Sequence, residues 1–247
     1  MKDVSVIIAL NNEENNIVNL YSRIREVLGL VGGAYELILV DDGSRDETYS
    51  KILAIHHSDV NVNVIRLGKK VGQILALLAG IHYSSGSTVV TMDGDLQHLP
   101  EDIPKFLENI SQGYVIVNGC KKTREDNILI RIIPAYLVKK IVSFLFGTCI
   151  QDINSSFRAY RREVLSGQII CGENIRFAPL LIRNKALVCE IMINCKKRKM
   201  GYSHFGFLSR MKRFCTDISI LWGIKTGNSK ASSPVLNDLI KSKKFHL

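Results

Sequence analysis

Residues 9–17 contain no glycine. The turn after the first apolar run is therefore not the Gly-rich pyrophosphate loop of an NAD(P) dehydrogenase. Nor is it the Gly-rich phosphate loop with which sugar-1-phosphate nucleotidylyltransferases normally begin. The six cysteines (Cys120, Cys149, Cys171, Cys189, Cys195, Cys215) are scattered, and none forms a Cys-x-x-Cys pair, which argues against a zinc site. No apolar run reaches the length of a membrane span; the nearest, Ile132 to Ile150, is broken by Lys139-Lys140. Met1-Lys2-Asp3 leads straight into an apolar, β-branched run, so no secretory leader is expected. Together these absences point to a reducing cytoplasm. There is no internal repeat, no recognisable DNA-reading helix and no RNA-binding aromatic motif.

What is present is a chain of 247 residues, 46% hydrophobic, with a formal charge of +10. That hydrophobic fraction is ordinary for a globular protein with a buried core. The charge is not evenly spread. Residues 1–184 carry 20 Lys and Arg against 20 Asp and Glu, whereas residues 185–247 carry 13 against 3. A basic C-terminal quarter on a neutral body suggests an anionic partner: a membrane surface, a phosphate substrate or nucleic acid.

The first half alternates two patterns. Val4–Leu10, Glu36–Val40 and Asn61–Leu67 are near-continuous apolar runs, as expected of strands buried on both faces. Between them, Ile17, Leu20, Ile24, Val27 and Leu28 recur at helical spacing, residues 47–57 read as a helix, and residues 72–84 place Ile74, Leu77, Leu78 and Ile81 inward. A fourth strand is expected near Val89–Met92. Alternating strands and helices imply a parallel, right-handed, doubly wound sheet. Such sheets bind ligands at the carboxyl ends of their strands. The acids found there, Glu13, Asp42, and Asp93 with Asp95, should converge on one crevice. Further on, the pattern gives a helix over 101–112, a short strand at Val115–Val117, a charged loop over 121–126, an apolar amphipathic helix over 128–146, and a late strand over 187–193. Phe207 to Ile224 reads as a basic amphipathic helix, with Arg210, Lys212 and Arg213 beside its apolar side.

The most informative stretch is Val89-Val90-Thr91-Met92-Asp93-Gly94-Asp95-Leu96-Gln97-His98-Leu99-Pro100. A strand releases two carboxylates at alternate positions, which extended backbone directs to one side. They repel unless a cation lies between them. A hard ion such as Mg²⁺ or Mn²⁺ that also holds phosphates is the usual answer, and Gln97 can add a neutral oxygen. Alone, Asp-x-Asp is more often a turn with two solvated acids; the strand before it and the upstream elements reverse the balance. Asp42 alone could cap the next helix, Asp152 could pair with Arg158, and Arg124 and Arg198 could be surface charges. His98 reads as a packing residue behind the ligands.

Taken in order, Val4–Ile17, Glu36–Thr48, Thr88–Pro104, Val117–Asp126, Asp152–Arg158 and Arg198–Ser203 resemble family 2 glycosyltransferases of the GT-A fold. The likeness is greatest to the dolichyl-phosphate mannose synthase and polyprenyl-phosphate glycosyltransferase branch. It covers roughly residues 3–220, and Asp41-Asp42-Gly43-Ser44 with Asp93-Gly94-Asp95-Leu96-Gln97-His98 are its most specific pieces. The resemblance implies one GT-A domain over 1–224, a doubly wound, mostly parallel sheet flanked by helices, with a nucleotide-sugar half at 1–112, an acceptor half at 113–224, and a flexible basic tail at 225–247.

The resemblance also implies roles. Glu13 and Asp42 would hold the base and ribose, with Ala9, Asn11 and Val40 around them. Asp93, Gly94, Asp95 and Gln97 would position Mg²⁺ or Mn²⁺ and the diphosphate. Asp95, Asp152 and Arg124 would be catalytic, Asp152 lying near the acceptor. Lys121, Arg124, Arg198 and His204 would meet phosphate groups. Four positions depart from the pattern: Ala9 replaces a proline, Asn11 an aromatic, Lys121 an arginine and His204 a lysine. Lys121 keeps the charge and loses bidentate geometry. The implied partners are a nucleotide diphospho-sugar, a polyprenyl phosphate and an anionic membrane surface met peripherally on the cytoplasmic side. A saccharide acceptor in glycan synthesis, an inactive relative, or a basic non-enzymatic binder of nucleic acid or membrane are the alternatives.

Overall fold

The structure is a computed structural model that describes residues 2–121, 150–153, 155–165, 175, 177–182, 187–195, 222 and 226. The expected helix at 128–146, the sites at Arg124, Arg198 and His204, most of the 207–224 helix and most of the tail lie outside the described residues.

Seven strands form one sheet in the order β3-β2-β1-β4-β6-β5-β7. They are β1 (Val4–Leu10), β2 (Tyr35–Asp41), β3 (Val62–Arg66), β4 (Thr88–Asp93), β5 (Ile116–Lys121), β6 (Arg158–Arg161) and β7 (Val188–Ile193). β1 pairs in parallel with β2 and β4, β2 with β3, and β5 with β7. β6 runs antiparallel between β4 and β5. The sheet is thus mostly parallel, as expected, with one antiparallel strand inside it. The Arg-Ala-Tyr-Arg of β6, with a cation at each end, carries no apolar-run signal. The short strand expected at 115–117 extends to Lys121, which therefore ends a strand instead of opening a loop.

Helices cover both faces. α1 (Ile17–Val31), α2 (Thr48–Ser58) and α4 (Ile103–Ser111) pack on one, and α3 (Gln73–Tyr83) on the other. Successive β1 residues explain the apolar runs. Val6, Ile8 and Leu10 join Leu20, Ile24, Ile52 and Phe106 in one core, while Ile7 joins Ile38, Val40, Ala76 and Ala79 in the other. Burying each such aliphatic side chain contributes about 1.5–3 kcal/mol.

α3 differs from its periodic reading. Six consecutive residues, Leu75 to Gly80, are buried, while Ile74 and Ile81 are half-buried. The reason is a second contact. Ala76, Leu77 and Ala79 pack over β1, β2 and β4, and Leu75 and Leu78 pack with Ile116 of β5, Tyr160 of β6, Ile175 and Ala178. The helix also lies very close to β1, since a Cβ on Gly80 would stand 2.3 Å from Ile7 Cγ2. Two short helices, α5 (Arg162–Leu165) and α6 (Ala178–Leu181), and a single 3-10 turn at Pro100–Asp102 complete the described elements.

Candidate active site

Strand register assembles the crevice. Ala9 is the cross-strand partner of Val40 on one side and of Asp93 on the other. The loops after β1, β2 and β4 therefore leave the sheet side by side. The first two are laced together. Asn11 Nδ2 donates to the Asp42 carbonyl at 2.8 Å, and Lys70 Nζ donates to Asn11 Oδ1 at 2.6 Å. Asn12 N–H donates to Ser44 Oγ, Arg45 N–H to Asn12 Oδ1, and Glu13 N–H to Thr48 Oγ1. Asn11, where the family pattern has an aromatic, is thus a tie between loops. Gly43 is required in this lacing: its φ is +64°, and a Cβ there would stand 2.6 Å from the Lys70 backbone nitrogen.

The Asp42 carboxylate is buried and holds the loop that precedes α3. It accepts N–H from Val71 at 2.6 Å and Gly72 at 2.9 Å. Burial raises its pKa from the usual carboxylate value; the two N–H groups and the Lys70 charge oppose that rise. Asp42 does not cap the helix that follows it. That work falls to Asp46, which accepts from Thr48 N–H and Oγ1. Beside these loops lies a cleft of about 820 Å³ lined by Asn11, Ser44, Arg45, Arg66, Lys69 and Lys70. Four cations in one cleft form an anion-attracting surface. The Lys69-Lys70 pair directly after β3 was the available sequence signal for it, and the sequence reading missed it.

Asp93 ends β4, and Gln73 Nε2 donates to its Oδ1. His98 Nδ1 stands 3.7 Å from the other oxygen. Asp95, two residues on, accepts Gln97 N–H at 3.1 Å and Gln97 Nε2 at 2.6 Å. Gln97 presents its NH₂ to Asp95 here, so it would have to turn for its oxygen to serve as a ligand. Leu96 between them has φ +58°, a conformation rare for a branched side chain and typical of functional turns. Gly94 packs inward, where a Cβ would meet Leu10 Cδ2 at 2.4 Å. Among the described residues, no group of three or more His, Cys, Asp or Glu is gathered that could hold a metal alone. Two carboxylates on one turn nevertheless fit a hard divalent cation that takes its remaining oxygens from phosphate and water.

His98 marks where the two halves meet. Its ring is buried against Phe157, at 5.4 Å between centroids, and its backbone bridges to Cys195. Burial and then the positive charge of Lys121 hold its pKa down at about 4, against the opposing pull of Asp95, Asp152 and Asp102. The imidazole is therefore neutral at pH 7. Lys121, Asp95 and Asp152 thus all lie close enough to His98 to act on its charge. Asp152 is buried on the segment before β6. Its neighbour Ile153 lines a second cleft of about 350 Å³, together with Gln73, Thr91, Ser155, Ser156 and Tyr160.

A mostly parallel sheet with a cationic cleft and paired carboxylates at its strand ends has the architecture of the GT-A fold. The chain belongs to glycosyl transferase family 2, whose model matches residues 5–167. An undecaprenyl-phosphate 4-deoxy-4-formamido-L-arabinose transferase of Shewanella sediminis is 35% identical over 208 residues, covering 83% of this chain and 62% of that one. The protein of the same name from Pseudomonas paraeruginosa is 36% identical over 204 residues, with 82% and 60% covered. The chain thus spans about three fifths of the length of the curated relatives it matches. Among solved structures, glucosyl-3-phosphoglycerate synthase of Mycobacterium tuberculosis with Mn²⁺, UDP-glucose and phosphoglyceric acid superimposes with a TM-score of 0.67 at 19% identity, covering 92% of this chain and 80% of that one. That likeness establishes the shared fold.

Proposed function

We propose that this chain transfers a sugar from a nucleotide diphospho-sugar to a polyprenyl phosphate at a cytoplasmic membrane surface, with Mg²⁺ or Mn²⁺ bound at Asp93 and Asp95. The observation that carries the reading is the register Val40–Ala9–Asp93, which sets a pair of carboxylates beside a cationic cleft at one sheet edge. The names of the curated relatives support the acceptor class, and the Mn²⁺ in the structural neighbour supports the metal.

In this reading the nucleotide occupies the cleft of Arg45, Arg66 and Lys70, with Glu13 and Asp42 toward its base and ribose. The sugar lies toward Gln73 and the smaller cleft. A divalent cation would neutralise charge growing on the nucleoside diphosphate leaving group. Asp93 and Asp95 would hold that cation, and through it the diphosphate end of the donor. Lys121, with Arg124 and Arg198, orients the acceptor phosphate, and Asp152 fixes its approach. An ionised phosphate oxygen is itself a competent nucleophile, so no strong base is required.

The test is a panel of labelled nucleotide sugars incubated with the purified chain, Mn²⁺ and undecaprenyl phosphate in detergent. Label should pass into the organic phase for one donor. Label that stays aqueous across the panel, or moves only to saccharide acceptors, refutes the lipid-phosphate reading.

A further inference from the structure

Four polar side chains lie in one row across four adjacent strands. Thr91 of β4 is the register partner of Arg158 of β6, Arg158 of Asn118 of β5, and Asn118 of Glu190 of β7. Such a row inside an otherwise apolar sheet is costly unless every member is satisfied. Each member is satisfied in part by the segment that carries Asp152. Thr91 Oγ1 donates to the Ser156 carbonyl at 2.8 Å. Arg158 donates to the Ile153 carbonyl through NH2, to Ile175 through NH1 at 3.0 Å, and to Asn118 Oδ1 through Nε at 2.6 Å. Asn118 Nδ2 donates to the Asp152 carbonyl and to Glu190 Oε1, both at 2.8 Å. Glu190 accepts Gln151 N–H at 2.7 Å and Asp152 N–H at 3.1 Å.

We infer that Glu190 is a positioning residue for the transfer reaction, and that with Asn118 it sets the height and orientation of Asp152 over the sheet. This rests on the reading of Asp152 as an acceptor-side residue. The chemistry of Glu190 is specific. Three N–H groups converge on it, and its two oxygens accept all three. A carboxylate can do this because every site on it is an acceptor. A glutamine of the same size has one oxygen and would aim its NH₂ at a donor. The position also explains why an acid stands on the last strand of the sheet. Its charge is matched through Asn118 by the guanidinium of Arg158, so the two charges brace the Asn118 amide from opposite sides. Neither Glu190 nor Asn118 figured among the candidate residues of the sequence, because only strand register brings positions 118, 158 and 190 together.

Glu190→Gln tests the inference in two ways. Amide hydrogen exchange needs no substrate. In the variant, the Gln151 and Asp152 amides should lose protection by about tenfold or more, while Val90 and Ile8 amides in the parallel strands keep theirs. In the transfer assay, kcat should fall about 10- to 100-fold, the scale of a misplaced group near the reacting atoms, with donor KM within about twofold. Glu190→Ala should show both effects more strongly. Unchanged exchange at Gln151 and Asp152 overturns the anchoring. Loosened exchange with unchanged kcat overturns the positioning role, as does a parallel rise in donor KM, which a general loss of structure would give. If the wild-type chain transfers nothing to lipid phosphate, the proposed function fails while the exchange result still decides the anchoring.

Discussion

The Asp42 carboxylate accepts the backbone N–H of Gly72 at 2.9 Å, one residue before α3 begins. The side chain at the end of β2 therefore shapes the loop that carries Lys69 and Lys70 into the cationic cleft. In the proposed reading it would both meet the nucleotide and build the wall of the cleft that holds it.

Asp42→Ala should then have two consequences. Leaving the Val71 and Gly72 N–H groups without their acceptor should cost about 1–3 kcal/mol of stability, read by urea unfolding. Affinity for free nucleoside diphosphate and for donor should fall together, read by calorimetry. A loss of donor turnover with nucleoside diphosphate affinity intact would show that Asp42 does not serve the nucleotide.

The paired acids give a sharper result. Asp95→Asn keeps shape and removes one of two negative charges, so metal-supported turnover should fall by about 10²-fold or more, since charge stabilisation by a metal supplies several kcal/mol. The thermal stabilisation that Mn²⁺ and nucleoside diphosphate give together should disappear as well. Full activity of the wild-type chain in excess EDTA would rule out the metal role.

The first five elements were legible because each obeys a local rule. Val4–Leu10 is apolar on both faces, and its alternate residues do enter two cores. The strand-end acids followed from that order. What was hidden depends on distant partners. Arg158-Ala159-Tyr160-Arg161 forms a strand because β4 and β5 flank it, and no local pattern announces that insertion. The burial of Leu75 and Leu78 depends on Tyr160, more than 80 positions away. Gln73 reaches Asp93 only because α3 returns antiparallel to β4 with its first turn at the strand ends. Long-range register is the part of the fold that periodicity does not encode.

A buried acid at the opposite edge of the sheet makes stability depend on pH. Glu36 accepts Ser5 Oγ and Ser85 N–H, both at 2.6 Å, and Ser85 Oγ at 3.0 Å. Burial works against its ionisation, and the hydrogen bonds from Ser5 and Ser85 outweigh it, so its pKa lies below the ordinary value of 4.5. The folded state thus binds this proton less readily than the unfolded state. The resulting stability is complete above pH 4.5 and is lost as pH falls through the lower folded value. Glu36→Gln should be less stable than wild type at pH 7 by about 1–3 kcal/mol, and the gap should close on acidification below pH 4.5. Equal gaps at pH 7 and pH 3 in urea unfolding would contradict this assignment.

The last prediction concerns the membrane. The whole net charge lies in residues 185–247, and the sequence pattern of Phe207 to Ile224 is that of an amphipathic helix containing Arg210, Lys212 and Arg213. A basic segment of that kind would meet a bilayer at its interface, with its apolar side in the headgroup region and its cations against anionic lipid. Trp222 belongs to the apolar side in that reading. It is helical and 61% exposed, whereas packing on the sheet would bury it. An exposed Trp in a basic stretch of sequence suits the headgroup layer, where indole rings concentrate. Docking there would let a lipid-linked phosphate rise a short distance toward Lys121 and Asp152. Each basic residue near an anionic surface contributes roughly 1 kcal/mol within a Debye length. Replacing Arg210, Lys212 and Arg213 by alanine should therefore lower partitioning onto anionic vesicles by on the order of 10²-fold at low salt, and added salt should do the same to the wild type. The chain has one tryptophan, so its emission reports on this segment alone. It should shift to the blue on anionic vesicles and not on neutral ones. Equal flotation with both vesicle types at low salt, with emission unmoved, would remove the membrane from the account.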